Sequence, residues 1–174
     1  NDIDARLYFT LLSARKTAYA LVQDSTKPLA RCLAGLLDFA EELQGQIGEL
    51  PTVTEKMDFR SVFQNPELIN PQWPEKVAVG DLSAPVGESH FGRQIAMYFL
   101  FRYFLNLGLE GDVLSAAKMA VVGVLVPTYF GTDSWVMHLW SKETEHSDVN
   151  MERYRRLLRT ADCLSVPALK SRLV

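Results

Sequence analysis

An all-α bundle of about five to seven helices is the fold this sequence predicts, and three observations carry that expectation. Apolar residues recur at i, i+3, i+4 and i+7 over most of the chain. Five of its eight prolines gather between residues 51 and 89, which leaves the flanks free to be helical. The one strand-like run, VAVGDL at 77–82, has no partner run with which to form a ladder.

The elements follow in order. Residues 2–24 place Leu7, Leu11, Ala14, Ala18, Leu21 and Val22 on one stripe, with Asp2 and Asp4 favouring the positive end of the helix dipole. Residues 25–50 open with Ser25 or Thr26 as a cap and Pro28 in the first turn. Their stripe is Leu29, Leu33, Leu36, Leu37, Ala40, Leu43 and Ile47, and Gly48 and Pro51 end it. The short link makes 2–50 an antiparallel hairpin. Residues 51–89 read as a long irregular, Pro-rich connection with a short helix near Thr54–Gln64, pinned to the body by Phe63 and Trp73. Residues 87–112 are apolar on nearly every face, as expected of the central helix, and Gly108 and Gly111 end it. Asp112 caps the next helix, which Pro127 should kink or stop near Val126. Gly131–Ser134 supplies a turn and a further cap, and a further helix runs from Trp135 through His146 to about Asp162, either continuous or broken at Ser147–Asp148. The expected organisation is a single helical domain: hairpin 2–50, connection 51–89, helical core 90–162 and a tail at 163–174.

Composition narrows the function. At 174 residues with 48% hydrophobic and 22% charged residues, the chain suits one globular core. A net charge of −3 and a pI near 5.6 argue against a nucleic-acid binder. Arg153, Arg155, Arg156 and Arg159 read as a solvated helix face. The longest apolar run, 116–130, is shorter than the roughly 20 residues a membrane span needs. Cys32 and Cys163 provide neither a disulfide framework nor a zinc ligand set, and fit reduced thiols in a cytoplasmic protein. The first residue is Asn1 and not Met, as in a piece of a longer protein.

The densest polar stretch is 141–150, with Glu143, Glu145, His146, Asp148 and Asn150. Glu143 and His146 form one Glu-x-x-His, whereas di-iron bundles use two together with further glutamates, so a metal is not expected. Glu88 and His90 are two residues apart and point to different helix faces. No GxSxG elbow is present, and His138 reads as a hydrogen-bonded histidine at the core edge. Ser147 or Asp148 can cap the following helix, and Glu143 or Glu145 can pair with an arginine one or two turns on. Trp135, Trp140, Tyr98 and Tyr103 are candidates to line an apolar pocket.

The segments FGRQIAMYFLFRYFLNLGLEGDVLSAAKMAVVGVLV and LWSKETEHSDVNMERYRRLL together resemble the C-terminal helical region of bacterial flagellin lysine-N-methylases and their relatives. That pattern has an aromatic YxxFRYFL helix, an apolar helix, an S(R/K)E-x-EH-S-x-x-N element and a closing helix. Ser141, Lys142, Glu143, Glu145, His146, Ser147 and Asn150 match it position by position. The first hairpin is similar to the family segment that follows its cysteine module, so the resemblance spans most of the chain. It implies methyl transfer from S-adenosylmethionine to lysine amines of a flagellin-like protein. Glu143, His146 and Asn150 would then orient or deprotonate the amine, which must be neutral to attack. The family's iron–sulfur module has no counterpart here, since two separated cysteines cannot ligate a cluster. Activity of this chain alone is therefore not expected. The rival expectation is a non-enzymatic helical module that binds a small ligand or a partner, or forms a homodimer.

Overall fold

An 18-residue helix built from Ala, Val, Gly and Leu has little surface it can leave in water, so other elements must cover it. In a computed structural model, which describes residues 2–50, 54–132 and 134–173, that helix is α5 (Val113–Phe130). Around it lie α1 (Asp2–Gln23), α2 (Leu29–Ile47), α3 (Gln72–Val79), α4 (His90–Leu109), α6 (Ser134–Glu145), α7 (Asp148–Thr160) and α8 (Val166–Leu173). Two 3-10 turns, Phe59–Phe63 and Asp162–Leu164, complete the described elements. The all-α class is as expected. Eight α-helices lie among the described residues, roughly consistent with the expected five to seven; the short α3 and α8 fall where the sequence reads as connection and tail.

The centre of the bundle is α5, not α4. By length and composition α5 could cross a membrane, yet 89% of it is buried inside the molecule. Its small side chains let neighbours approach from every direction. At Gly123 a Cβ would lie 2.5 Å from Cε2 of Phe99 on α4, so glycine is what permits that approach. The bulky α4 would hold neighbours apart, and it sits at the periphery with one face covered. Pro127 neither kinks the chain to a stop nor ends the helix, which continues to Phe130. It falls in the last turn, where the missing N–H costs one bond, and the Thr128 hydroxyl donates to Val124 O (2.9 Å). Gly131, with φ +140, ends α5.

The buried stripes of α1 and α2 agree with the sequence pattern: Leu11, Ala14, Ala18 and Val22 on one, Leu29 to Leu43 on the other. The start of α2 differs. Neither Ser25 nor Thr26 caps it; the Leu29 N–H donates to Oε2 of Glu88, 59 positions away (2.9 Å). Arg93 holds that carboxylate and also donates to Val22 O (2.6 Å) and Lys27 O (2.9 Å). The beginning of α4 therefore clamps the turn between α1 and α2. Pro51, and Asp133 of the turn and cap expected at 131–134, lie outside the described residues.

The described part of the connection, 54–89, is packed and not irregular throughout. Phe63, Trp73, Phe130 and Trp140 meet edge to face, and Trp73 Nε1 donates to Phe63 O (3.0 Å). The strand-like VAVG run closes α3, whose last carbonyls receive Arg60. The arginines of α7 are ties to four different places and not a free solvated face. Arg153 donates to Ser61 O and Val62 O (2.8 and 2.9 Å), while Arg155, Arg156 and Arg159 pair with Glu110, Glu55 and Asp112.

Gly123→Ala tests the close packing of α4 on α5. Helix propensity alone would favour alanine by about 1 kcal/mol, but overpacking against Phe99 costs about 1–3 kcal/mol. A net loss of stability is expected in urea titration, whereas the open Gly35, with nothing within 4 Å of a Cβ, should gain from the same change.

Candidate functional site

The 141–150 element divides into two polar knots that face opposite ways. Glu143 and Glu145 are two residues apart on α6, about 200° around the helix, so their side chains cannot converge. Glu143 is fully buried. Its Oε1 accepts the N–H groups of Ile69 (3.0 Å) and Asn70, just ahead of α3. Those N–H groups would otherwise be orphaned, and a carboxylate suits the positive helix end. Asn150, also fully buried, accepts from Glu67 N (3.0 Å) and donates to Glu67 O (2.8 Å) and Glu143 O. Ser147 caps α7 by accepting from Asn150 N (3.2 Å) and donates its hydroxyl to Glu67. This knot straps segment 67–70 to the α6–α7 corner.

Glu145 faces α4. Its carboxylate pairs with Arg102 (2.9 Å) and accepts from Ser141 Oγ (2.9 Å), Tyr98 (3.2 Å) and Tyr103. Burial, and then the neighbouring carboxylate, push the Tyr103 hydroxyl well above the usual phenol range. The expected pairing with an arginine one or two turns on is thus replaced: Glu145 reaches across to Arg102 on α4, and Glu143 meets main chain. His146 is exposed. Glu143, His146 and Asn150 do not meet around a shared cleft: Asn150 and Oε1 of Glu143 are taken by main-chain groups, Oε2 of Glu143 is buried without a hydrogen-bond partner among the described residues, and His146 faces solvent. Among the described residues no group of three or more His, Cys, Asp or Glu is placed to hold a metal ion.

The four candidate pocket aromatics also separate. Trp140 fills the core between Phe63, Phe99 and Tyr154. Tyr98 and Tyr103 belong to the Glu145 knot. Trp135 is half-exposed, stacks on His138 (5.2 Å) and donates to Gln72 (3.1 Å). His138 is accordingly an exposed stacking residue and not a core-edge one.

Two features lie where the sequence reading did not look. The first is an uncovered face on α1 and α4. Leu11 meets Gly108, Arg15 meets Phe101 and Arg93 reaches Val22, so the two helices run antiparallel. Along the outer side of α4, Phe91, Tyr98, Phe101, Leu105 and Leu109 recur at helical spacing, and Phe101 is 70% exposed. On α1, Tyr8, Phe9 and Leu12 continue the surface, and Phe9 is 67% exposed. The signal in the sequence is an α4 apolar on all sides, a pattern that by itself points to burial.

Comparison with known families, characterised proteins and solved structures gives no match to this chain.

The second feature is Lys118, inside the apolar α5 and 6% exposed. Its Nζ donates to Leu158 O (2.8 Å), a carbonyl in the last turn of α7 whose usual partner, the Asp162 N–H, is taken by Glu55 O. Desolvation lowers its pKa from 10.5 to about 8, partly opposed by Asp112 and Glu41.

Two predictions follow from these contacts. Asn150→Ala should cost roughly 2–4 kcal/mol in chemical denaturation, since it orphans buried main-chain groups, while His146→Ala should stay within about 0.5 kcal/mol. For Lys118, the unfolded chain holds the proton more tightly between pH 8 and 10.5, so folding stability gains with rising pH across that window. The gain is read as the difference between wild type and Lys118→Met, in which it should vanish; that difference cancels the tyrosines that titrate nearby.

Proposed function

We propose that this chain is a helical protein-docking module whose α1–α4 face receives an acidic amphipathic helix. The observation that carries this reading is the set of aromatics Tyr8, Phe9, Tyr98 and Phe101 left in water on α1 and α4, with Phe9 and Phe101 about two-thirds exposed, while Phe63, Trp73, Phe99, Phe104, Phe130 and Trp140 are buried. Contiguous exposed apolar surface of this kind marks interaction sites.

Charge selects the partner. From Ala5 to the end of α1, and along the whole of α4, there is no carboxylate, while Arg6, Arg15, Lys16 and Arg102 are present. A second copy of the same face would set cations against cations. A membrane surface is less favoured, since lipid-binding clusters hold about 4–8 basic residues, and here Arg15 lies over Tyr19 and Phe101 and Arg102 is held by Glu145, which leaves Arg6 and Lys16. Methyl transfer from S-adenosylmethionine to a flagellin-like lysine draws on the motif alone, because Asn150 and Oε1 of Glu143 are spent on main-chain groups.

A fluorescent helical peptide with leucines at i, i+3 and i+7 flanked by glutamates is the probe. Its affinity should fall as salt rises and drop at least tenfold in Phe101→Glu, a change at an exposed position. The reading fails if the lysine-flanked version binds equally well, if Phe101→Glu has no effect, if sedimentation shows a dimer closed over this face, or if anionic vesicles displace the peptide.

A further inference from the structure

Beside Lys118 lies a half-open pocket of about 660 Å³ between the end of α2, the start of α5, the end of α7 and the α8 region, with Lys118 at its buried side. Its walls include the apolar Leu114 and Leu158 and the polar Glu41, Gln44, Arg159 and Asp162. Gln44 is committed: it donates to Gly48 O and Gly111 O (2.6 and 2.8 Å) and accepts from Val113 N (2.9 Å), so it joins the end of α2 to the start of α5. Arg159 is paired with Asp112 (2.7 Å), and Asp162 accepts from Met57 N (3.0 Å). Lys118 is the wall cation with no carboxylate in ion-pair reach among the described residues, and it spends one hydrogen bond on Leu158 O.

We propose that Lys118 is an amine nucleophile that forms an imine with a neutral aldehyde or ketone admitted to this cavity. An amine is a nucleophile only when neutral, and burial without a counter-ion favours that form. The charges argue for a neutral ligand. Lys118 and Arg159 are outweighed by Glu41, Glu49 and Asp162 on the wall and Asp112 behind Arg159, two cations against four carboxylates. An anion would be repelled. The step balances with no other reactant: the Nζ lone pair attacks the carbonyl carbon, the C–O π bond opens, and the carbonyl oxygen leaves as water with both nitrogen protons, leaving C=N.

The test is reductive trapping of the whole chain with benzaldehyde and cyanoborohydride, followed by peptide mass mapping. Lys118 should be benzylated at least about tenfold faster at pH 8 than the exposed Lys16, Lys27, Lys56 and Lys142, an internal comparison that needs no variant. Its rate should level off above pH about 8, while those of the exposed lysines keep rising. 4-Carboxybenzaldehyde, an anionic probe of like shape, should show no preference for Lys118. Lys118→Arg, which keeps a donor for Leu158 O, should lose this adduct and retain its helical circular dichroism. Modification of Lys118 no faster than the four exposed lysines, or equal preference with the anionic probe, overturns the proposal.

Discussion

Covering α5 is the constraint on which the rest of this structure depends. A helix whose side chains are nearly all apolar must be surrounded, and here α2, α4, α6 and α7 do so. The small residues of α5 make this possible, because Gly123 and the alanines and valines let a ring such as Phe99 press against the backbone. Deletion of buried methylene groups anywhere in such a layer would cost the transfer energy and leave a void.

Surrounding one helix with several creates many buried helix ends. Each end presents N–H or C=O groups that need partners. The polar residues of this protein answer that need over long sequence distances: Glu88 at the start of α2, Glu143 ahead of α3, Gln44 between α2 and α5, and Lys118 at the end of α7. Residues that resemble a catalytic cluster in the linear sequence therefore act as fasteners. The aromatic outer face of α4 is the counterpart: α5 is largely covered without it, and Phe101, with the Arg15 guanidinium over its ring, stays mostly exposed.

The sequence by itself determined the helical class, the buried stripes of α1 and α2, the Asp112 cap and the anchoring role of Phe63 and Trp73, and narrowed the α7 cap to Ser147 or Asp148. Those follow from spacing within a few turns, which a helix fixes locally. It could not say which apolar helix is central, because α4 and α5 are both apolar all round and only the packing of small against bulky side chains ranks them. Nor could it distinguish Glu143 from Glu145, or foresee that Glu88 would cap α2, since hydrogen-bond partners 59 or more positions apart are brought together by tertiary packing alone. The exposed Phe101 and the enclosed Lys118 belong to the same class: a residue's type is written in the chain, but whether water reaches it depends on what the other helices cover.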